Sequence, residues 1–260
     1  SYVYDAALRA RILANCATFE RRIIDDPDPP RAAVAVAIVG EHEAQYLFIQ
    51  RALHLRRNPG QYALPGGRLE PGESIPDAAR RELAEELGVD LPESAVLGVL
   101  DDLRTRGGAI VTPVVMWAGG VVDLVPDPVE VNNAWSVPLD ELDHPEAPRW
   151  VTLEGVDGQA LRMSVRGEWI NPPTAAMLYQ FRAVALHGRS VRVEEVASPR
   201  WTARYPRKPT GCPYTQGTPG AHRDNGVLLR TTQLGAARRI VSSRRQVQLR
   251  VWAGHQARDR

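Results

Sequence analysis

A helical stripe of apolar residues opens the chain. The residues recur at spacings of four, four and three, which places them on one face of a helix over residues 5–20. The stripe consists of Leu8, Ile12, Cys16 and Phe19. The acidic and proline-rich residues 25–30 that follow do not continue regular structure. We therefore predict an N-terminal helix and a linker ahead of a domain core at about residues 30–190.

Short continuous runs of apolar residues recur through that core, which is typical of buried strands. They predict strands at residues 32–39, 45–50, 96–103, 110–117 and 131–137. A second helix is predicted over residues 174–186, because two prolines precede this segment and Gly188 follows it. Strands interspersed with helices predict an α/β sandwich rather than a repeat protein.

A glycine- and proline-rich loop at residues 58–72 leads into the best-signalled helix of the chain. Ser74 is a favourable N-cap, Pro76 suits the first turn, and Asp77 lies three residues after the cap. Gly88 is a natural C-terminal cap. These signals predict a helix that begins just after Ser74 and ends at Gly88.

This helix carries a cluster of carboxylates. Glu82, Glu85 and Glu86 occupy positions i, i+3 and i+4, so they share one face. Like charges this close repel one another, and either solvent or a bound cation must balance them. A solvated acidic face is the commoner explanation for such a triplet by itself. The alternative is a site for Mg²⁺ or Mn²⁺, which prefer oxygen ligands and bind together with substrate phosphates.

The residues around the helix favour the cation. Pro65, Gly66 and Gly67 form a tight backbone segment in which carbonyls and amides can approach a metal or phosphate closely. Glu73 lies before the helix and Arg81 within it, so the two are placed to pair and to support the neighbouring carboxylates. The sequence therefore predicts a metal and phosphate site at this helix.

Composition and charge exclude several classes of protein. The 260 residues are 43% hydrophobic and 24% charged, which argues against global disorder. A net charge of +1 gives no reason to expect nucleic acid or a membrane as partner. No segment resembles a membrane span or a signal peptide, and Cys16 and Cys212 are interpreted as two reduced thiols. We therefore expect a cytoplasmic protein.

The last part of the chain has a different character. Residues 205–260 are rich in arginine, glycine and proline, and their only acidic residues are Asp224 and Asp259. A poorly ordered extension explains this composition more simply than a nucleic-acid-binding tail does. The domain is accordingly predicted to span residues 1–204.

The spacing of the helix and its loop resembles the signature of the Nudix hydrolases. Every specified position of that signature is present, in the order Gly67, Glu73, Arg81, Glu82, Leu83, Glu85, Glu86, Gly88 and Val89. The resemblance implies an α/β/α Nudix sandwich with a mixed β-sheet. It also implies metal-dependent hydrolysis, with Mg²⁺ or Mn²⁺, of a nucleoside diphosphate linked to another moiety.

The resemblance also implies roles by position. The implied metal ligands inside the signature region are the Gly66 carbonyl, Glu82, Glu85 and Glu86. The implied catalytic and organising residues are Glu73, Arg81, Glu82 and Glu85. Glu82 is either a further ligand or the base that activates water. Glu130, just before a predicted strand, is the candidate for a further acidic ligand or base from outside the signature.

The segment before the signature is similar to that of the coenzyme A pyrophosphatase branch of the family. Its leucine-rich strand is followed by an arginine, a leucine–arginine pair and a glycine–glutamine step. The residues implied to bind substrate are Arg51, Arg56, Arg57 and Gln61. Guanidinium groups pair bidentately with phosphate, so the arginines suit the diphosphate or the 3′-phosphate of coenzyme A. The segment around Trp169 is also similar to that branch.

Coenzyme A or acyl-CoA is therefore the expected substrate, with 3′,5′-ADP and 4′-phosphopantetheine or its acyl form as products. Ala52, Asn58 and Leu64 depart from the branch's usual serine, histidine and phenylalanine, so ADP-ribose, a nucleotide sugar or a nucleoside triphosphate stays open. A non-catalytic nucleotide-binding regulator is the alternative class. Such proteins usually lack glutamates of the signature, and here all are present. The expected partner is a small-molecule nucleotide, and a homodimer is left open.

Overall fold

The computed structural model describes residues 1–152 and 159–192, so the predicted basic tail at residues 205–260 lies outside the described part. Helix α1 (Ala6–Thr18) begins at Asp5, whose carboxylate accepts a hydrogen bond from the Leu8 amide at 2.7 Å. Three residues of the predicted stripe are buried in it: Leu8, Ile12 and Cys16. The helix ends before Phe19, which packs against the core from the extended chain, so the predicted bounds were slightly long.

The main sheet has eight strands and is mixed, as predicted. They are β1 (Arg31–Val39), β2 (Gln45–Arg51), β3 (Tyr62–Ala63), β4 (Gly66–Arg68), β5 (Val96–Val99), β6 (Leu103–Arg104), β7 (Ile110–Trp117) and β8 (Val131–Pro138). Strands β1 and β7 run parallel, whereas every other pairing in this sheet is antiparallel. The central strand β1 therefore has β7 on one side and β4 and β2 in succession on the other.

Two predicted segments differ from the structure. The predicted loop at residues 58–72 contains β3 and β4, because glycine at position 66 lets the chain pair closely with β1. A Cβ at Gly66 would lie 2.3 Å from the Ala33 carbonyl oxygen. The predicted strand at residues 96–103 is broken into β5 and β6. Buried Asp102 lies between them and accepts hydrogen bonds from the Ile24 amide, outside the sheet, and from the Thr112 hydroxyl of β7.

Alternating side chains on β1 face two separate hydrophobic cores. One face presents Ala33, Ala35 and Ala37, all fully buried, to helix α2 (Ile75–Leu87). The opposite face presents the larger side chains of Val34, Val36 and Ile38 to the core that contains α1. Small residues under α2 let the helix lie close to the sheet, and burial of a side chain such as Leu83 contributes roughly 2 kcal/mol.

A second, three-stranded antiparallel sheet follows, and the sequence analysis did not predict it. It consists of β9 (Pro148–Thr152), β10 (Gln159–Val165) and β11 (Glu168–Ile170). The short helix α3 (Leu139–Asp143), also unpredicted, precedes it. Leu161, Met163 and Val165 are buried with a period of two, a signal that is present in the sequence but short.

The predicted last helix is helix α4 (Thr174–Phe181), which continues into a π-helical turn (Arg182–Leu186). It packs in the same core as α1, on the face of the main sheet opposite α2, so the layers are those of the predicted α/β/α sandwich. In the described ranges, 1–152 and 159–192, no helix combines the length and the apolar character that crossing a membrane requires.

Candidate active site

Helix α2 begins and ends where its sequence signals predicted. The Ser74 hydroxyl accepts a hydrogen bond from the Asp77 amide at 3.3 Å, and Gly88 ends the helix with a φ of 69°. Leu83 and Leu87 point into the core under the sheet, and this orientation fixes the position of the carboxylates between them. The face that carries the glutamates consequently lies against the Gly66–Arg68 strand.

Arg81 is the hub of the site. Its guanidinium donates to both carboxylate oxygens of Glu73, at 2.9 and 3.1 Å, and to the Arg68 carbonyl at 2.9 Å. The Nη1 atom also donates to Glu82 and Glu85, each at 2.9 Å. The bonds from Arg81 hold the pKa of Glu73 below its usual value. One guanidinium therefore joins three of the predicted acidic residues.

Glu86 is the most deeply buried carboxylate of the site, with 1% of its surface exposed. Its Oε2 atom accepts a hydrogen bond from the Gly66 amide at 2.9 Å, whereas the buried Oε1 atom has no hydrogen-bond partner among the described residues. The nearest described positive charge to Oε1 is Arg51 Nη1, at 3.7 Å. Burial raises the pKa of Glu86 to about 8, although the Gly66 amide and Arg51 oppose that rise.

Glu82 lies under the glycine pair. A Cβ at Gly67 would lie 2.3 Å from the Glu82 Oε1 atom, so glycine is required for the carboxylate to occupy this position. Burial raises the pKa of Glu82, and the neighbouring charges of Glu85 and Glu130 raise it further. The Arg81 contact opposes this rise. Glu82 and Glu86 therefore both lie against the backbone segment predicted to approach a metal or phosphate.

Glu130 acts on the site electrostatically from outside α2. Its negative charge contributes to the raised pKa values of both Glu82 and Glu86. The side chain is exposed, and its carbonyl accepts a hydrogen bond from the Ala52 amide at 2.8 Å. The start of β8 and the end of β2 are in this way tied together beside the carboxylate cluster.

The residues predicted to bind substrate do not form one group. Arg51, at the end of β2, points to Glu86, and its amide donates to the Gln61 carbonyl at 2.9 Å. Arg56 and Arg57 are exposed in the loop between β2 and β3. The structure therefore brings Arg51 to the carboxylate of Glu86, pairs the Gln61 backbone with that of Arg51, and leaves Arg56 and Arg57 exposed in the adjoining loop.

The carboxylates fit a hard divalent cation chemically. The donors that Glu82, Glu85 and Glu86 offer are all oxygen atoms, and the unpartnered Oε1 atom of buried Glu86 calls for a positive charge. Within residues 1–152 and 159–192, no group of three histidine, cysteine or acidic side chains already surrounds a common point. Arg81 Nη1 binds the Oε1 atom of Glu82 and the Oε2 atom of Glu85, so a cation held by these carboxylates would share them with Arg81.

Sequence reasoning missed two contacts that shape the site. The Arg51–Glu86 ion pair joins a strand and a helix, and no local pattern announces it. The amides of Val125 and Asp127 donate to the carbonyls of Leu87 and Glu86, at 2.8 and 3.0 Å, so the loop before β8 caps the end of α2. Both contacts depend on the register of β2 and β8, which a single sequence does not specify.

Comparison with known proteins gives one family. A model of the NUDIX domain matches residues 29–165. A Yersinia pestis (strain Pestoides F) protein named "Uncharacterized Nudix hydrolase NudL" is 36% identical over 112 residues, which are 43% of this chain and 56% of that protein. The chain thus spans about half the length of the curated relatives that it matches.

Two solved structures are also similar. One is a MutT/nudix family protein from Enterococcus faecalis, with 18% identity and a TM-score of 0.46 over 72% of this chain and 73% of that one. The other is a MutT protein from Methanosarcina mazei Go1, with 25% identity and a TM-score of 0.36 over 48% of this chain and 83% of that one. Both TM-scores are low, so family membership is shown by the NUDIX domain match.

Proposed function

The chain belongs to the Nudix family, because the NUDIX domain match covers more than half of it. We propose that it is a metal-dependent hydrolase. The proposed reaction cuts a diphosphate linkage in a nucleotide-containing substrate. The family resemblance and the α/β/α fold that the sequence predicted are both confirmed. The activity itself is proposed from the site.

One observation carries the proposal. The buried Glu86 carboxylate is fixed by the Gly66 amide on one oxygen, while its second oxygen has no hydrogen-bond partner within residues 1–152 and 159–192. Leaving a buried carboxylate oxygen unsatisfied is costly unless a cation or ligand completes the site. Glu82 and Glu85 lie within reach of the same Arg81 guanidinium, so two further oxygen donors are close by. This arrangement supports a cation site that serves a phosphate substrate.

The chain's own residues divide the work. Glu82, Glu85 and Glu86, with the Gly66 carbonyl, would hold Mg²⁺ or Mn²⁺, and a bound cation supplies neutralisation of phosphate charge and acidification of water. Arg81 orients Glu82 and Glu85 through its bonds to them. Glu82 or Glu130 accepts the proton of the attacking water. Burial raises the pKa of Glu82, and the charge of Glu130 adds to that rise, so the Glu82 carboxylate accepts a proton more readily than an exposed glutamate does.

We propose coenzyme A or acyl-CoA as the substrate. Arg56 and Arg57 are exposed in the loop that leads from Arg51 to Gln61, and Arg51 at its start contacts Glu86. Guanidinium groups there are suited to the several phosphates of such a substrate. Cleavage of the diphosphate releases 3′,5′-ADP and 4′-phosphopantetheine, or its acyl form.

The test is hydrolysis of a substrate panel by the purified protein with Mg²⁺ or Mn²⁺. The panel contains coenzyme A, acetyl-CoA, ADP-ribose, NADH and 8-oxo-dGTP. A Glu85→Gln, Glu86→Gln variant is run beside it, with Glu93→Gln as a control for loss of an exposed acid. We expect the wild type and the control to cleave coenzyme A, and the double variant to lose at least about 100-fold in kcat.

The remaining outcomes separate the alternatives. Cleavage of another panel member alone would keep the reaction and reject the proposed role of residues 51–61 in recognising coenzyme A. Binding of a diphosphate without turnover would favour a non-catalytic nucleotide-binding protein. Equal activity of the wild type and the double variant would reject the carboxylate site.

A further inference from the structure

Arg51 stands in an unusual relation to the carboxylate cluster. It is the last residue of β2, its side chain is 24% exposed, and its Nη1 atom lies 3.7 Å from the Glu86 Oε1 atom. That separation is too long for a hydrogen bond, so the two groups interact only through their charges. The oxygen that Arg51 approaches is the one that has no hydrogen-bond partner. Arg51 therefore balances the charge of the Glu86 carboxylate but gives its Oε1 atom no hydrogen bond.

The two arginines of the site are held very differently. Arg81 is fixed by hydrogen bonds to Glu73 and to the Arg68 carbonyl, in addition to its bonds to the cluster. In the part of the chain that the structure describes, Arg51 has one long ion pair, and its partly exposed side chain can leave the cluster without breaking a hydrogen bond to Glu86. Arg81 is thus built into the site, whereas Arg51 is free to exchange one anionic partner for another.

We propose that Arg51 acts as an exchangeable counter-charge, which neutralises Glu86 until a divalent cation binds and then turns to the substrate's diphosphate. This inference rests on the proposed function. It extends that function by giving Arg51 two partners in succession instead of one. The first partner, Glu86, is seen in the structure. The second, a diphosphate, is inferred because guanidinium groups pair well with phosphate oxygens.

The proposal follows from electrostatics. A divalent cation that coordinates the Glu86 Oε1 atom would lie within a few ångströms of the Arg51 guanidinium, and like charges at that distance repel strongly in a partly buried site. Arg51 consequently weakens cation binding when no substrate is present. Once the guanidinium moves away, it is available to a phosphate oxygen next to the cation. Cation and diphosphate then favour each other's binding by equal factors.

One substitution at Arg51 should have opposite effects on cation binding and on diphosphate binding. Arg51→Met keeps an apolar stem and removes the charge. We expect the variant to bind Mn²⁺ alone about fivefold more tightly than the wild type, because the repulsion is gone. We expect the same variant, saturated with Mn²⁺, to bind α,β-methylene-ADP about tenfold more weakly, because the guanidinium contact to the diphosphate is lost. Arg51→Lys keeps the charge and should bind Mn²⁺ like the wild type.

The experiment is isothermal titration calorimetry on the full chain, with four titrations for each protein. Mn²⁺ is titrated with and without α,β-methylene-ADP, and α,β-methylene-ADP is titrated with and without Mn²⁺. The matched control is Arg104→Met, which removes another arginine from a carboxylate ion pair, with Asp26 at 2.6 Å. We expect the control to match the wild type in all four titrations. If Arg51→Met does not fold, Arg51→Gln takes its place.

The outcomes distinguish a failure of the exchange proposal from a failure of the proposed function. Unchanged or weaker Mn²⁺ binding by Arg51→Met, with a wild type that binds Mn²⁺, would overturn the exchange proposal and leave the proposed function standing. A wild type that takes up no Mn²⁺ would overturn both. A merely structural role for Arg51 would lower the melting temperature without strengthening Mn²⁺ binding, and it would also overturn the exchange.

Discussion

Glu86 shows how a single carboxylate can be costly to the fold and useful to the site. It is almost fully buried, one oxygen has no hydrogen-bond partner, and burial raises its pKa to about 8. The raised pKa means that Glu86 holds a proton more readily in the folded chain than in the unfolded one. The ionised form is the one that binds a cation, and until a cation arrives a backbone amide and the long Arg51 contact balance its charge.

This pKa shift makes the stability depend on pH in a specific direction. The folded-state pKa of Glu86 lies above the usual 4.5, so its contribution to stability is complete below about pH 4.5 and is lost as pH rises towards 8. Glu86→Gln removes the ionisation. In the presence of EDTA, the variant should therefore gain on the order of 3 kcal/mol relative to wild type between ~pH 5 and ~pH 8.5.

Urea unfolding of both proteins across that pH range measures the difference in the free energy of unfolding. Glu93→Gln, at an exposed acid, is the control and should follow the wild type. A difference between Glu86→Gln and wild type that stays constant with pH would show that Glu86 ionises normally in the folded protein.

Gly67 gives a second test at the scale of one residue. A methyl group there would lie 2.3 Å from the Glu82 Oε1 atom, and the mobile end of that side chain would have to move. The free energy of unfolding of Gly67→Ala should accordingly lie within about 1 kcal/mol of the wild-type value, whereas its kcat should fall at least about 100-fold. Gly120→Ala, where the added carbon meets nothing within 4 Å, should change neither quantity. Full activity of Gly67→Ala would mean that the position of Glu82 is not needed.

At the scale of secondary-structure elements, the site depends on how closely α2 approaches β1. The three alanines on that face of β1 are fully buried, and the Ala35 amide donates to the Pro65 carbonyl at 2.8 Å, directly before the glycine pair. The helix, the central strand and the glycine segment consequently pack as one unit. Any change in the thickness of this layer shifts Glu86 relative to the Gly66 amide.

Ala35→Val tests that dependence. The two added carbons have no space between β1 and α2, so we expect a loss of about 1–3 kcal/mol in the free energy of unfolding and a fall in kcat. Val36→Ile enlarges the same strand on its other face, in the core that contains α1. It should lower stability in the same way while the folded protein keeps its kcat. Denaturant unfolding and steady-state kinetics at a temperature where both variants are folded provide the comparison.

The elements that were predicted correctly carry their signals locally. Helix α2 has a cap residue, a spacing of carboxylates and a terminal glycine within fifteen or so neighbouring residues, and β1 is an unbroken apolar run. Strands β3 and β4 are too short for any period to be visible, and they exist because β1 and β2 offer them free edges. The Arg51–Glu86 pair arises from tertiary packing, so its residues were identified but their partnership was not.

At the scale of the whole molecule, cation binding should stabilise the entire fold rather than one loop. The candidate ligands lie on α2, and α2 is packed on the sheet that both cores share. A ligand that binds only the folded state adds about 2.7 kcal/mol at a concentration 100 times its Kd. We therefore expect saturating Mn²⁺ to raise the melting temperature by about 5 °C or more.

Differential scanning calorimetry with Mn²⁺ and with EDTA measures this change. The Glu85→Gln, Glu86→Gln variant should show no such increase, whereas Glu93→Gln should show all of it. An equal increase in the double variant would place the stabilising cation elsewhere on the protein.

The position of β1 has one more consequence. Its amides are engaged with β7 along one side and with β4, the Pro65 carbonyl and β2 along the other, while its side chains belong alternately to the two cores. No fluctuation of one helix layer alone can release them to solvent. In deuterium-exchange experiments, the β1 amides should therefore exchange only when the whole domain opens. A cation that binds at α2 should therefore slow the exchange of the β1 amides, although these amides do not contact it.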